Sequence, residues 1–262
     1  ATQLTFELQK LKPALVYLPA EEIAAHPDVV GQAMGRGVPL AVTLPRICFD
    51  RELPQLQHQL EAAWNLGVTQ ALTGNLSLAG VAKSMGFALR GDYGLQVFNS
   101  QAEKEYKRLG FQSLTASFEL KLAQIRDLSK AVDTELIAYG RLPLMITENC
   151  LVQNETGCRL DRQGPCVPED GPCRCGQPNV LVDRTGAAFP LLPAYGHRTE
   201  IQNSKPLYLA DRPEHRRLGL AYARLRFTTE TAEECVSVVQ NYLDAAPAAG
   251  DFTRGLYERG VE

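Results

Sequence analysis

Five of the seven cysteines lie in one stretch of the chain, between Met145 and His197. They are Cys150, Cys158, Cys166, Cys173 and Cys175. Zinc and iron–sulfur centres are bound by about four ligands, mostly thiolates with an occasional imidazole. Glycines and prolines between the cysteines allow the sharp turns that would bring such ligands together. The cluster therefore predicts a metal site.

Among these ligands we favour a structural zinc site made by four residues. The predicted ligands are Cys150, Cys158, Cys175 and His197, with Cys173 as the alternative to Cys175. A closed set of four ligands is structural, because a catalytic zinc keeps an open position. The gaps between the cysteines are wider than those of a zinc ribbon. A Cys166–Cys173 disulfide, or thiols without a metal, are therefore the alternatives.

The composition is that of an ordinary globular protein. Of the 262 residues, 45% are hydrophobic and 22% are charged, and the net charge of -3 gives no general attraction to nucleic acid. The chain starts at Ala1, and it lacks the leader of a signal peptide, in which a charged segment is followed by an apolar one. We therefore expect no signal peptide or membrane span, a cytoplasmic location that keeps the thiols reduced, and other domains in a longer chain.

Short apolar runs alternate with amphipathic helical segments, which is the pattern of repeated strand and helix units. Eight runs fit strands, at residues 14–19, 39–47, 69–75, 87–99, 111–120, 134–147, 205–211 and 223–229. Two more runs, within 179–193, flank a Gly-containing turn and predict a hairpin.

Eight such units in about 250 residues predict an α/β fold, a closed (β/α)8 barrel of the TIM type. The single barrel domain would span residues 1–262, with a Cys-rich metal-binding insertion at 148–204, after the sixth strand. An open doubly wound sheet is the alternative. It usually has a Gly-rich phosphate motif after its first strand, and none is present here.

The active face of a (β/α)8 barrel is built at the carboxyl ends of its strands, so polar residues that close each apolar run are candidates for a site. The predicted substrate-binding residues are Arg46, Asn75, Asp92, Asn99 and Glu119. Arg141 follows the sixth run, and a buried arginine there would need an anion or a carboxylate. Ordinary helix caps and solvated loop positions are the alternative for each of these residues.

Six motifs occur in order between Leu15 and Tyr257: DYGLQVFNS, TASFELKLAQI, ELIAYGRLPLMITENC, LVDRTGAAFPLL, EIQNSKPLYLADR and FTRGLY. Together they resemble the collagenase-like peptidases, peptidase family U32, and most of all the second, carboxyl-terminal barrel of its long members. The resemblance implies a barrel, cysteines that bind a metal or an iron–sulfur cluster, and a peptidase activity. Some relatives are implicated instead in hydroxylation of transfer or ribosomal RNA, with an iron–sulfur cluster.

The family's signature of a glutamate, an aromatic or histidine, and a glycine falls on Glu135, Tyr139 and Gly140. The resemblance implies that Glu135 and Tyr139 lie near the substrate as catalytic residues, and the position of Arg141 after the sixth run adds it to them. The chain then departs from the family pattern. The five residues after Gly140 differ from those of the family signature, and His197 stands where a further cysteine is expected. Three cysteines and a histidine suit zinc better than an iron–sulfur cluster.

No protease motif accompanies the resemblance, since the chain has neither a His-Glu-x-x-His helix nor a Gly-x-Ser-x-Gly elbow. Two hypotheses follow. The first is an enzyme that acts on a peptide or an RNA at the barrel mouth. The second is a non-catalytic, zinc-stapled barrel that positions a substrate or partner for another domain. A basic patch near the mouth would favour RNA, and its candidates are Arg46, Arg90, Arg141, Arg184 and Arg198.

Overall fold

The computed structural model describes residues 1–156, 174–175 and 177–261. Its larger sheet begins with six strands that pair in chain order, each parallel to the next. These strands are β1 (Val16–Pro19), β2 (Leu40–Thr43), β3 (Gln70–Thr73), β4 (Ala88–Gly91), β5 (Phe111–Thr115) and β6 (Asp133–Gly140). The first five predicted strands are therefore confirmed, and the sixth run, 134–147, forms β6 and then a separate strand of a second sheet. Their apolar runs are short and largely buried, as expected for parallel strands covered by helices.

One helix precedes β1, and the others connect these strands. The helices are α1 (Phe6–Lys10), α2 (Ala20–Ala25), α3 (Pro27–Gly35), α4 (Leu53–Asn65), α5 (Leu76–Ser84), α6 (Ser100–Leu109) and α7 (Leu122–Asp127). In α4, Leu56, Leu60 and Ala63 recur at helical spacing and are fully buried. Helix α6 is capped by Asn99 and ends at Gly110 in the left-handed conformation.

A second, antiparallel sheet follows β6. It contains β7 (Pro143–Thr147), β8 (Asn179–Val182), β9 (Ala188–Ala194) and β10 (Arg198–Gln202), in the order β7-β10-β9-β8, and helix α8 (Leu151–Thr156) follows β7. The predicted hairpin is confirmed, since β8 and β9 pair around the turn at Asp183–Gly186. Part of the cysteine-rich stretch, including Cys158, Cys166 and Cys173, lies outside the described residues.

The chain then returns to β6 on one side. β11 (Leu207–Tyr208) pairs antiparallel with the end of β6, and β12 (Tyr222–Leu225) pairs parallel with its earlier part, before the last helix, α9 (Ala232–Leu243). The seventh predicted strand is thus a short reversed strand, and a 3-10 helix at Pro213–Arg217 replaces the helix predicted behind it. The reason is that β10 ends beside Leu142, so the chain re-enters at the carboxyl end of β6 and runs backwards along it.

The larger sheet is curled into a half barrel. The hydroxyl of Tyr17 in β1 lies 3.2 Å from a carboxylate oxygen of Glu135 in β6, which brings the two ends of the sheet together across its interior. Within the described residues no ladder joins β12 to β1, so the closed eight-unit barrel is not confirmed. The apolar core surrounds the sheet, under α2 to α6 on one side and around β6, β11 and α9 on the other.

None of the helices in the described ranges has both the length and the apolar character needed to span a bilayer.

Candidate functional site at the carboxyl ends of the strands

A buried polar cluster fills the interior of the half barrel. The guanidinium of Arg224 in β12 contacts Glu135 and lies 2.6 Å from Asp92 and 2.8 Å from the hydroxyl of Thr115. Glu135 also accepts hydrogen bonds from Thr115 (2.7 Å) and Tyr17 (3.2 Å). The ring of Tyr17 lies 4.6 Å below the Arg224 guanidinium. Both Glu135 oxygens are therefore engaged by donors from three other strands.

The electrostatics of this cluster keep Arg224 and Tyr17 each in one protonation state. Burial by itself would lower the pKa of Arg224, but the carboxylates of Glu135 and Asp92 raise it above the usual arginine value. Burial, and next the charge of Glu135, raise the pKa of Tyr17. Tyr17 thus stays protonated as a hydrogen-bond donor, and Arg224 stays charged. The arrangement positions groups and neutralises charge, and each oxygen of Glu135 already accepts a hydrogen bond.

A second polar layer lies nearer the carboxyl ends of the strands, which we call the mouth. Arg226 donates hydrogen bonds of 2.6 Å to both Glu200 and Gln202, which come from β10 of the second sheet. Arg46, after β2, lies 3.8 Å from the other oxygen of Glu200 and above the ring of Tyr93. Burial, and next the charge of Glu200, raise the pKa of Tyr93. Four separate segments of the chain therefore meet at the mouth.

The second sheet covers the mouth and is held there by a buried arginine. Arg198 of β10 is 1% exposed, and its guanidinium bonds Glu148 at 2.8 Å and Glu52 at 3.2 Å. It also stacks on the ring of Phe49, which, like Glu52, follows β2. Gly196 leaves room for this arrangement, because a Cβ there would overlap Arg198 and Glu52. The antiparallel sheet is thereby joined to the half barrel through charged groups.

The model of Peptidase family U32 matches residues 20–179, which is more than half of the chain. The chain belongs to peptidase family U32. A solved structure, that of the U32 peptidase Mk0906, is similar at 14% identity with a TM-score of 0.42, over 50% of this chain and 63% of that one. This U32 chain thus spans less than two thirds of that structure's length. No curated protein matches its sequence significantly.

The three predicted catalytic residues of this U32 chain lie along β6 or just after it, in different surroundings. Glu135 belongs to the buried interior cluster described above. Tyr139 donates a hydrogen bond to Glu230 (3.2 Å) and packs in an aromatic group with Phe227, Tyr208 and Tyr242. Arg141 donates to the carbonyl oxygens of Asn203 and Ser204. Backbone carbonyls, and not the expected anion or carboxylate, therefore hold Arg141.

The predicted substrate-binding residues are brought to the same end of the sheet but make different contacts. Asn75 and Asn99 cap α5 and α6, because their side-chain oxygens accept hydrogen bonds from the first backbone amides of each helix. Asp92 caps the 3-10 helix at Tyr93–Leu95 and binds Arg224. Glu119 lies in the turn after β5. Arg46 remains at the mouth itself.

The proposed basic patch does not form. Arg198 is buried between two carboxylates, and Arg90 lies within the half barrel, where it donates to Gln70 and Ser113. Arg141 is turned toward backbone carbonyls, and Arg184 lies apart in the hairpin turn between β8 and β9. The prediction of a common basic surface is therefore wrong, because these arginines point into separate polar surroundings.

The predicted zinc ligands are only partly within the described residues. Cys150 is buried, while Cys175 and His197 are half-buried, and Cys158 lies outside the described ranges. Within those ranges no three cysteine, histidine or acidic side chains come close enough together to bind a metal. The described ligands thus do not form a site by themselves. The zinc site stays a prediction.

Sequence reasoning missed three charged residues of the cluster and the mouth: Glu200, Arg224 and Arg226. The run ARLRF carries a usable signal, because arginines two positions apart in a strand face the same side of the sheet. Two charges on the inward face of an apolar strand indicate acidic partners inside the barrel. No comparable signal marks Glu200, whose role depends on where the second sheet docks.

Proposed function

We propose that this chain is a peptidase domain that binds a peptide at the mouth of its half barrel. The convergence of Arg46, Tyr93, Glu200 and Arg226 at the carboxyl ends of the strands carries this proposal. In α/β barrels this end of the sheet is where substrates bind. Membership of peptidase family U32 supports a peptide as the substrate. The proposal includes a (β/α)8 barrel in which β12 is the last parallel strand and the cysteine-rich stretch is an insertion after β6.

Within this proposal the residues first predicted as catalytic position the mouth. Glu135 fixes Arg224, Thr115 and Tyr17 in the interior through contacts to both of its carboxylate oxygens. Tyr139 and Arg141 fix the end of β6 against neighbouring segments. The polar groups that a bound peptide would meet first are those around Glu200 and Arg226.

A random-sequence peptide pool tests the proposal. The purified chain is incubated with the pool, and new peptide termini are identified by mass spectrometry. We expect Arg226→Met to abolish cleavage and peptide retention, because it removes two hydrogen bonds from the mouth. Arg184→Gln, in the exposed hairpin turn, is the matched control. Cleavage by Arg226→Met at the wild-type rate, with an unchanged circular dichroism spectrum, would show that the mouth is not the site.

Binding without cleavage is a second candidate function, and one observation favours it. Cys48 follows β2, as Arg46 does, and burial and next the charge of Glu52 raise the pKa of its thiol. A thiol with a raised pKa is a poor nucleophile. The same pool separates the two candidates, since retained peptides without new termini would mean that the domain presents a substrate to another domain.

We also propose that a structural zinc ion holds the cysteine-rich stretch together next to the second sheet. Cys150, Cys158, Cys175 and His197 are the proposed ligands, and the chemistry of three thiolates and an imidazole suits zinc. Metal analysis after anaerobic purification should give about one zinc per chain and no visible absorption. A brown chromophore with bound iron would instead support the alternative cofactor, an iron–sulfur cluster.

A further inference from the structure

We infer that Arg46 binds a carboxylate of the peptide, either its terminal carboxylate or an acidic side chain. This inference rests on the proposed function and names the chemical group that the mouth recognises. It concerns a guanidinium whose hydrogen-bonding capacity is not used within the described part of the protein.

Arg46 differs in this respect from the other arginines around the mouth. Arg226 donates to Glu200, Gln202 and the carbonyl of Arg141, and Arg198 donates to two carboxylates. No acceptor among the described residues lies within hydrogen-bond distance of the Arg46 guanidinium. Its nearest charged atom is an oxygen of Glu200 at 3.8 Å. A guanidinium has five N–H donors, so those of Arg46 remain available to a ligand.

The surroundings hold Arg46 in place with one side open to solvent. Its side chain is 35% exposed, whereas that of Glu200 beneath it is 11% exposed. The guanidinium carbon lies 5.3 Å from the centre of the buried Tyr93 ring, a cation–π distance. The amide of Asn75 donates to the Arg46 carbonyl at 3.2 Å, and Asn75 is itself fixed as the cap of α5. A ligand that meets a positioned guanidinium loses less entropy on binding.

The charges around Arg46 select an anion. One oxygen of Glu200 is shared by Arg226 and Gln202, so a single carboxylate at this point faces two guanidinium groups. A second carboxylate, from the peptide, would balance the charges of these two guanidinium groups. The planar fork of arginine matches a carboxylate with two parallel hydrogen bonds, which a neutral amide cannot provide in the same way.

A purely structural role for Arg46 makes a different prediction. If Arg46 served only to neutralise Glu200, its removal would lower the thermal midpoint and leave peptide recognition unchanged. Recognition and stability therefore have to be measured on the same variants.

Two random-sequence decapeptide pools test the inference, one with free terminal carboxylates and one with terminal amides. The full chain is immobilised, and retained peptides are quantified and sequenced by mass spectrometry. If the terminal carboxylate is the ligand, the free-acid pool should be retained roughly tenfold better, as expected for charge-assisted hydrogen bonds. If an acidic side chain is the ligand, retained peptides of both pools should be enriched in Asp and Glu.

Either preference should disappear in Arg46→Gln, weaken in Arg46→Lys and persist in Arg184→Gln. Equal retention of both pools without acidic enrichment overturns the inference and leaves peptide binding at the mouth intact. A preference that survives in Arg46→Gln, in protein with an unchanged thermal midpoint, also overturns it. Failure of the wild-type chain to retain any peptide overturns both the inference and the proposed function.

Discussion

At the scale of single residues, Arg224 organises the interior of the half barrel. It connects β12 with Asp92 after β4, Thr115 in β5 and Glu135 in β6. A buried charge is tolerated only where opposite charges and hydrogen bonds compensate for the lost hydration. The stability of the interior therefore depends on keeping this arginine and its carboxylates together.

Replacing Arg224 alone should be costly, because it leaves Glu135 and Asp92 buried without their counterion. We expect Arg224→Met to lower the free energy of unfolding by about 3–5 kcal/mol, measured by denaturant titration. The double variant Arg224→Met with Glu135→Gln should lose less than the single variant, since one uncompensated charge is removed. Arg184→Met, at an exposed position, should change stability by less than about 0.5 kcal/mol. Equal costs for the single and double variants would contradict this account.

His215 should make stability depend on pH. It is 6% exposed, and burial lowers its pKa below the ordinary value of 6.5, as does the charge of Arg216, while Glu214 and the carbonyl of Arg212 act in the opposite direction. The unfolded chain then binds a proton at this histidine more readily than the folded protein. The stability contributed by neutral His215 is thus present above pH 6.5 and is lost as the pH falls through the folded-state pKa.

Thermal midpoints at pH 7.5 and pH 5.5 measure this effect. The wild-type midpoint should fall on acidification, and the fall should be smaller in His215→Gln than in wild type. His58, which is exposed, provides the control, and His58→Gln should behave like the wild-type protein. An identical fall in His215→Gln and wild type would exclude His215 as the cause.

Part of the site could be predicted residue by residue from the sequence. Asp92 follows the end of β4, and strand-end positions in parallel sheets converge in space, whereas Glu135 is the third residue of β6 and is marked by the family signature. Arg224 and Glu200 could not be placed in this way, because their partners lie far away in the chain. The expectation for Arg141 went wrong for a related reason, since backbone carbonyls of a later segment satisfy it as well as a carboxylate would.

At the scale of elements, the end of β6 depends on Gly140. Its φ of +115° lies in the region that favours glycine, and a Cβ there would overlap the carbonyl oxygen of Arg226. Gly140→Ala should therefore destabilise the protein by roughly 3 kcal/mol, from backbone strain and displacement of the chain after β12. Denaturant midpoints measure the loss.

Gly80 offers a matched control for this substitution. It lies in α5 with no atom within 4 Å of the position a Cβ would take. Gly80→Ala should be neutral or stabilise the protein by about 0.5–1 kcal/mol, because alanine is the better helix former. A loss in Gly140→Ala no larger than the effect of Gly80→Ala would mean that the end of β6 tolerates a side chain.

The elements themselves were predictable to different degrees. Strands β1 to β6 follow from local apolar runs, and the hairpin of β8 and β9 follows from its turn residues. The direction of β11 does not follow from any local pattern, because a run such as KPLYLAD fits a parallel or an antiparallel neighbour equally well. Its reversal depends on where β10 ends, which is a property of the tertiary structure.

At the scale of the whole molecule, Arg198 joins the covering sheet to the half barrel. Arg198→Met should leave Glu52 buried without a counterion and loosen β10 over the mouth. We expect a loss of about 3–5 kcal/mol in unfolding free energy and faster amide exchange in β10. Arg51 also contacts Glu148, at 3.7 Å, but is exposed, so Arg51→Met should cost less than about 1 kcal/mol. Unchanged amide exchange in β10 would show that other contacts hold the second sheet over the mouth.

The pairing of Arg224 with Asp92 and Glu135 also sets the order in which a growing chain can become stable. Arg224 follows these residues by 132 and 89 positions, so both carboxylates are synthesised long before their counterion. Until β12 emerges, burial of the interior would carry two uncompensated charges, and long-range pairing of this kind forms slowly. The segment that carries the family pattern, residues 20–179, therefore contains β2 to β6 but neither β1 nor β12, whose Arg224 completes the interior.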